Sequence, residues 1–325
     1  MSIKRVLAIV LNYNGKKFTN DLYLRTIESL KNQNYQNLEI IVADNNSNDG
    51  SVAEINQKFP DIRIIRLKKN RATMGYNAGI DVFMKGNYDF LFLSNNDIIY
   101  ENDFIKNMID FCENNSDAGL ITPRIMMLSD KNIYNSTGIV INKSGFAWDR
   151  NFGDKESDIG IIKSSEVASA SGGAMFCTRE AVKAVKKFDP IYYAYYEDVD
   201  LSVRLRRCTD LKIFYNSEAL CYHSFSMSWG VSPMKEFYMI RNRYVFVIIH
   251  FQIKMMLNSI RFMYFSVRHP QNNLQKKIFL SLFFLMPFII YRRIGMSFNK
   301  PLSKTILENF AGLPSLSNKK SANSA

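Results

Sequence analysis

The sequence is short of several things that would assign it quickly. Its four cysteines, Cys112, Cys177, Cys208 and Cys221, lie far apart with no Cys-x-x-Cys spacing. That argues against a zinc knuckle or a disulfide framework and fits a reducing compartment. No Gly-x-Gly-x-x-Gly follows a strand-like run, so a standard dinucleotide dehydrogenase is not expected, and no Gly-Lys-Ser/Thr phosphate loop occurs. The apolar stretch Ile278–Tyr291 is shorter than the ~20 residues a spanning helix needs, contains Pro287 and is bracketed by Lys276, Lys277, Arg292 and Arg293. Nothing at the N-terminus reads as a secretory signal. Lys4 and Arg5 precede Val6–Leu11, but that run leads into Asn12-Tyr13-Asn14-Gly15 and is expected to be a buried strand.

What is abundant is positive charge. The net charge is +12 over 325 residues. Nucleic acid, an anionic membrane surface or an anionic small molecule could each answer it. No zinc-finger spacing, RNA-binding aromatic-glycine motif or recognition-helix signature supports nucleic acid. The basic residues thicken toward the C-terminus beside apolar stretches, which favours a membrane surface and an interfacial helix.

The first half alternates short apolar runs with helical spacing. Val6–Leu11, Leu38–Ala43, Ile62–Leu67 and Phe90–Leu93 read as strands, with helical patterns between them. Such alternation predicts an α/β fold, a mostly parallel central sheet flanked by helices. These sheets bind ligands at the carboxyl ends of their strands. Polar residues do cluster there: Asn12-Tyr13-Asn14-Gly15, Asp44 through Gly50, Asn70 with Gly75-Tyr76-Asn77-Ala78-Gly79, and Ser94-Asn95-Asn96-Asp97. Each alone is ordinary turn chemistry; four on one rim point to a site. A nucleotide there would meet Asp44 and Asn45, with backbone groups near Leu11 and Tyr13. Further on, 102–114 and Arg179–Lys187 read as helices, the latter capped by Thr178, and Ala118–Thr122 as a strand. Residues 133–169 predict hairpins or a flap, and Ser171-Gly172-Gly173-Ala174 allows close approach of backbone to a ligand.

Three sets of residues carry candidate chemistry. Tyr196-Glu197-Asp198-Val199-Asp200-Leu201 puts three carboxylates into four positions at a predicted helix start, with Arg204 one turn on. Crowded like charges raise at least one pKa and make a poised proton acceptor. Equally, this is how a helix start and an i,i+4 ion pair look. Asp97 could hold Mg²⁺ or Mn²⁺ against phosphate oxygens, or cap the element that follows. His223, one of three histidines, follows the strand-like Ala219–Tyr222 and is a metal ligand or a structural residue. His250 and His269 have no evident partner.

Taken together these motifs resemble the inverting glycosyltransferases of family 2, especially the bacterial rhamnosyl- and galactofuranosyltransferase-like branch. The match runs through Val10 to Gly15, Thr26 to Leu30 with Gln33 and Tyr35, and Asp44 to Ser51. It continues in Tyr76 to Ile80, Leu93 to Asp97, Gly172 to Met175, Phe188-Asp189, Tyr196 to Leu201 with Arg204, His223 and Arg241-Asn242-Arg243. The resemblance implies the GT-A nucleotide-diphospho-sugar transferase fold over residues 1–230, with a nucleotide-binding half at about 1–122 and an acceptor-binding half at about 123–230. A helical, membrane-associating region would follow at 231–314, and a disordered tail at 315–325.

The implied site residues are Asp198 as catalytic base with Glu197 beside it, and Asp97 and His223 as metal ligands. Leu11, Tyr13, Asn14, Asp44, Asn45, Asn77, Asn95 and Asn96 would bind the donor. Gly172, Gly173, Asp200 and Trp229 would bind the acceptor. The implied reaction is inverting transfer from a nucleotide-diphospho-sugar, dTDP-rhamnose as the first expectation, to a lipid-linked polyprenyl diphosphate saccharide. The setting would be bacterial surface polysaccharide (O-antigen or capsule) synthesis, on the cytoplasmic face of the plasma (inner) membrane. A processive synthase would carry spanning helices and Gln-x-x-Arg-Trp, neither of which is found. Two alternatives stand beside this reading: a sugar-phosphate nucleotidyltransferase, which would need a Gly-rich, lysine-bearing loop after the first strand, and a non-catalytic membrane-docking scaffold.

Overall fold

The computed structural model describes residues 3–224, 233–267 and 273–297. The expected contact at Trp229, the partnerless His269 and the expected tail at 315–325 lie outside the described residues.

The N-terminal half alternates as its periodicity predicts. In order come β1 (Val6–Asn12), α1 (Gly15–Thr19), α2 (Leu22–Lys31), β2 (Leu38–Asp44), α3 (Ser51–Lys58), β3 (Arg63–Arg66), α4 (Tyr76–Lys85), β4 (Phe90–Asn95), β5 (Ile98–Tyr100) and α5 (Phe104–Asn114). Then follow β6 (Ala118–Met127), β7 (Tyr134–Ser136), β8 (Ile139–Ile141), β9 (Ala147–Asp149), α6 (Glu156–Ile159), β10 (Ser165–Glu166), β11 (Ala174–Thr178), α7 (Arg179–Val185), α8 (Glu197–Cys208) and β12 (Lys212–His223). Three helices close the described chain: α9 (Pro233–His250), α10 (Ile253–Val267) and α11 (Asn273–Ser297).

The central sheet runs β10-β12-β6-β11-β4-β1-β2-β3, with β5 on β12 and β7 on β6. Strands β3, β2, β1 and β4 are mutually parallel, as are β6 and β12. Strand β11 enters antiparallel between β4 and β6. The pleat of β1 sorts the core. Val6, Ala8 and Val10 pack with Tyr23, Ile27 and Leu30 of α2 and Phe104 and Met108 of α5. Leu7 and Ile9 face the other way, onto Tyr76, Ile80 and Phe83 of α4 and Leu201 and Leu205 of α8. Period-two side chains thus place helices on both faces.

Two strands are longer than their apolar runs predict. β6 continues past Thr122 to Met127, and β12 begins at Lys212, because the two pair along almost their whole lengths, with a register shift between Asn216 and Leu220. The predicted cap at Thr178 is present: its hydroxyl accepts from the Ala181 N–H at 3.3 Å. The third core cluster joins Tyr244–Ile249 of α9 and Ile278, Leu282 and Ile289 of α11 to Ile139, Ile141, Tyr192, Tyr196 and Val199.

Gly79 lets α4 lie directly on the sheet. A Cβ there would sit 2.4 Å from Cδ1 of the fully buried Ile9 and 2.8 Å from its Cγ2. Gly79→Val is expected to cost about 2–3 kcal/mol by overpacking. Urea denaturation checks this; an unchanged midpoint would show that the interface yields.

Candidate active site

The carboxyl ends of β1, β2 and β4 are tied by one buried polar network. The Asn12 amide nitrogen donates to Asp44 Oδ1 at 3.0 Å, Ser47 Oγ at 3.2 Å and Ser51 Oγ at 3.1 Å. Its Oδ1 accepts from Asn96 Nδ2 at 3.0 Å. Such a network is rigid when satisfied and costly when broken. It also changes the expected donor contacts. Asp44 is fully buried and does not line the cleft; its carboxylate holds the loop after β2 through Asn12 and Ser47. Asn14, in the left-handed region at φ 47°, accepts from the Asn48 N–H and shapes the turn instead. Asn77 exchanges both its amide groups with the backbone of Phe188 at 3.0 Å, fastening α4 to the loop after α7.

The other expected donor residues converge. Leu11, Tyr13, Asn45, Asn95 and Asn96 line a cleft of about 260 Å³ together with Asp97, Gly172, Gly173, Glu197 and Asp198. Asn45 also braces the facing loop, donating to Ala72 O and accepting from the Arg71 N–H. A larger hollow of about 790 Å³ lies near Lys31, Glu39 and Asp61, at the amino end of β2, away from these groups. The rim rule for α/β sheets favours the smaller one.

Asp97 and His223 are brought together by strand pairing. Antiparallel β5 and β12 align Ile98 with His223, and the Ser224 N–H bonds the Asp97 carbonyl at 3.0 Å. His223 Nε2 then lies 3.3 Å from Asp97 Oδ1. The ring is oriented by Nδ1, 2.7 Å from Asn135 Oδ1, an arrangement that makes Nδ1 the donor and turns Nε2 toward the carboxylate. Asp97 Oδ1 is buried without a hydrogen-bond partner. Burial opposes a charge on His223, but Asp97 outweighs it and the imidazole pKa is raised. An orphaned carboxylate oxygen and an oriented imidazole nitrogen fit a cation. Among the described residues no group of three or more His, Cys, Asp and Glu assembles as a metal site, so a cation at Asp97 and His223 would need further oxygens from substrate or water.

The base candidates sit where α8 starts. Tyr193, Tyr195 and Tyr196 all have positive φ, at 65°, 64° and 69°. The turn is held by Asn242, which is fully buried and donates to the carbonyls of Tyr192, Ala194 and Tyr195 at 2.7–2.8 Å. Arg241 donates to Ile191 O and Tyr192 O and also to Asn242 Oδ1, fixing the amide's orientation. Asp198, half-buried, accepts from the Gly172 N–H and the Val199 N–H, both at 2.8 Å. A Cβ on residue 172 would lie 3.0 Å from Asp198 Oδ2. Gly172 therefore holds the carboxylate, and with Gly173 it lines the smaller cleft, not the larger cavity described below.

Burial raises the pKa of both Glu197 and Asp198. For Glu197, pushed up to about 8, the Asp198 charge adds to burial and Thr73 opposes it. For Asp198 the two backbone N–H groups oppose burial. The charge of the pair therefore settles on Asp198, at a helix N-terminus, and the proton on Glu197. Asp200 is corrected as an acceptor contact. It faces the core, with Arg204 Nε at 2.7 Å and His250 Nε2 at 2.8 Å. Burial there is overcome by Arg204 and His250, which hold Asp200 down at about 2. His250, expected to be without a partner, is buried and its pKa is lowered, so it donates to Asp200 as a neutral ring.

Further residues complete the site, of which Ala72, Thr73 and Tyr195 were not singled out in the sequence. Asn70, Ala72, Thr73, Ser171 and Tyr195 line the small cleft. A second cavity of about 830 Å³ lies beyond Glu197 and Asp198, walled by the β8–β9 hairpin, Tyr195, Lys235 and Met239. Glu197 and Asp198 line both cavities. Asp149, in that hairpin, is pushed up to about 6 by burial, then by the Asp198 charge, against Ser136 and His223. In the sequence this hairpin falls within the hairpins or flap expected over 133–169. One prediction concerns Glu197. Its proton is held more tightly in the folded state than in the unfolded one, so its contribution is complete below about pH 4.5 and is lost as pH rises through about 8. In chelator-treated protein, Glu197→Gln is expected to flatten the fall of thermal stability over that window. Equal slopes for variant and wild type would refute the assignment.

A family model described as glycosyl transferase family 2 matches residues 8–185, more than half of the chain. An N-acetylglucosaminyl-diphospho-decaprenol L-rhamnosyltransferase of Mycobacterium tuberculosis is 26% identical over 231 residues, 64% of this chain and 74% of the relative. The sequences from strains CDC 1551 / Oshkosh and ATCC 25618 / H37Rv give the same figures. Among solved structures, that of GalNAc-T7 with UDP, GalNAc and Mn²⁺ superposes with a TM-score of 0.67 at 13% identity, over 95% of this chain and 57% of the other. The structure of S. aureus TarS superposes with a TM-score of 0.50, also at 13% identity, over 94% and 55%. The chain thus spans little more than half the length of these two proteins, and at such identity they establish the fold, a GT-A arrangement. The chain belongs to glycosyl transferase family 2.

Proposed function

We propose that the protein is a metal-dependent, inverting glycosyltransferase that moves a sugar from a nucleotide-diphospho-sugar to a lipid-linked saccharide. One observation carries this reading: Glu197 and Asp198 line two cavities, and the smaller is also lined by Asp97, which has His223 Nε2 3.3 Å from its carboxylate. An inverting transfer needs the acceptor oxygen, the anomeric carbon and the departing diphosphate oxygen in line, with the base at the acceptor oxygen on the side away from the diphosphate. Asp198 accepts the acceptor hydroxyl's proton as that oxygen bonds to the anomeric carbon. The bond from that carbon to the diphosphate oxygen breaks, and the nucleoside diphosphate leaves. General-base assistance of this kind typically contributes ~10²–10⁴ in rate. Glu197, retaining its proton, leaves the negative charge to Asp198. Asp97 and His223 would hold the divalent ion, Mg²⁺ or Mn²⁺, whose chemistry is to stabilise charge on the departing diphosphate. Asn45, Asn95 and Asn96 would contact the donor.

The acceptor follows from the relative and from the C-terminus. The mycobacterial relative is named for an N-acetylglucosaminyl-diphospho-decaprenol substrate and L-rhamnosyl transfer; a polyprenyl diphosphate saccharide and dTDP-rhamnose are the corresponding proposals here, within surface polysaccharide synthesis. Helix α11 is apolar on two sides. Ile278, Leu282 and Ile289 are buried against the protein, while Leu280, Phe283, Phe284, Phe288, Tyr291 and Ile294 are 55–77% exposed along the opposite stripe. By length and composition alone the 24 residues Asn273–Met296 could cross a membrane, longer than the apolar run suggested because the helix continues through its charged flanks. Its fastening favours lying on one leaflet. Arg292 chelates Asp189, and Arg293 donates to the carbonyls of Ile248 and Phe251, so the helix is part of the globular unit. Lys276 and Lys277 beside the stripe would each add about 1 kcal/mol near an anionic surface.

Two measurements test the proposal. With a panel of nucleotide-sugars and an N-acetylglucosaminyl diphosphate on a short prenyl chain, wild type is expected to release nucleoside diphosphate in a metal-dependent way. Asp198→Asn is expected to lower turnover at least ~10²-fold with donor affinity retained; near-normal turnover would exclude Asp198 as the base. The triple change Phe283→Ser, Phe284→Ser, Phe288→Ser, all on the exposed stripe, is expected to abolish sedimentation with vesicles containing anionic lipid. Undiminished binding would place the membrane contact elsewhere.

A further inference from the structure

The larger cavity carries a recognition element that the family motifs do not include. Its wall is the β8–β9 hairpin, in which Ile139 pairs with Asp149 and Val140 with Trp148. Trp148 is half-buried and belongs to none of the buried apolar clusters among the described residues, so its ring is not spent on the core. Asp149, the next residue, lines the same cavity, which Asp198 also borders. Glu197 Oε2, 94% buried by its residue's exposure of 6%, has no hydrogen-bond partner and belongs to a side chain that borders this space.

The hairpin is built onto the catalytic turn. The Tyr196 hydroxyl accepts from the Ala147 N–H at 3.2 Å and donates to Gly145 O at 2.9 Å. Residue 196 directly precedes Glu197 and Asp198. Whatever Trp148 and Asp149 bind is therefore held at a set distance from the base, the positioning on which effective molarity depends. A tryptophan face beside a carboxylate suits a pyranose ring: the apolar C–H face packs on the indole, and paired hydroxyls donate to the carboxylate.

We infer that the β8–β9 hairpin is the acceptor-sugar subsite, with Trp148 stacking on the acceptor ring and Asp149 accepting from hydroxyls next to the one that reacts. The inference rests on the glycosyl-transfer reading and names its specificity residues. Lys235 and Met239, on the α9 wall of the same cavity, then face the remainder of the acceptor, where an anionic diphosphate gives way to an apolar chain.

The test uses the full chain, a nucleotide-sugar that wild type turns over, and N-acetylglucosaminyl diphosphate on a short prenyl chain. Trp148→Ala and Asp149→Asn are each expected to raise the acceptor KM at least tenfold while changing the donor KM less than twofold. Trp148→Phe, which keeps an aromatic face and guards against a folding defect, is expected to return the acceptor KM to within about threefold of wild type. An acceptor KM within twofold of wild type in Trp148→Ala would overturn the inference while leaving glycosyl transfer intact. A shift in the metal titration of Asp149→Asn without a change in acceptor KM would assign Asp149 to the cation side instead. Absence of nucleotide release from wild type with every donor would overturn the functional reading, and the subsite with it.

Discussion

The site depends on a strained turn held by one buried amide. Positive φ at three tyrosines within four residues, Tyr193, Tyr195 and Tyr196, costs roughly 1–2 kcal/mol for each. Asn242 meets this with three hydrogen bonds to the turn's carbonyls, and Arg241 with two more. The strain has a use. It aims the first turn of α8 into the gap between two cavities, so that Glu197 and Asp198 border both. A relaxed approach to the helix would not need a clamp from α9, and Glu197 and Asp198 would lose their link to the C-terminal helices.

Within that turn, environment separates carboxylates that composition makes alike. Asp198 and Asp200 are two residues apart on one helix. Asp200 points at Arg204 and His250 and is held far below neutrality. Asp198 meets only backbone N–H groups and a carboxyl neighbour, and is raised. One therefore serves as a permanent anion that anchors α8 to α9, and the other is available to exchange a proton. Groups pushed in opposite directions by their surroundings mark a division of roles. The same logic applies to Asp97 and His223, where Asn135 turns the imidazole toward the buried carboxylate.

The comparison between motif and role is instructive at four asparagine and aspartate positions. Asp44, Asn14 and Asn77 stand in the runs expected to touch the donor, yet their side chains hold loops. Asn45 does both, lining the cleft while bracing the backbone of residues 71 and 72. Short polar side chains after strands bond backbone as readily as ligand, so type and position cannot separate the two uses.

Periodicity and turn chemistry by themselves determined the strand–helix alternation, the rim on which the site lies, the cap at Thr178 and the i,i+4 pair of Asp200 with Arg204. These are local: each depends on residues within a turn or a strand of one another. Only the tertiary structure decided that β11 runs antiparallel between β4 and β6, that β5–β12 pairing sets His223 beside Asp97, that His250 completes Asp200, and that the β8–β9 hairpin shares a cavity with Glu197 and Asp198. Those contacts join residues far apart in the chain. They arise from hydrogen-bond registers and burial that no single segment encodes, because a strand's partner and a carboxylate's surroundings exist only once the layers have packed.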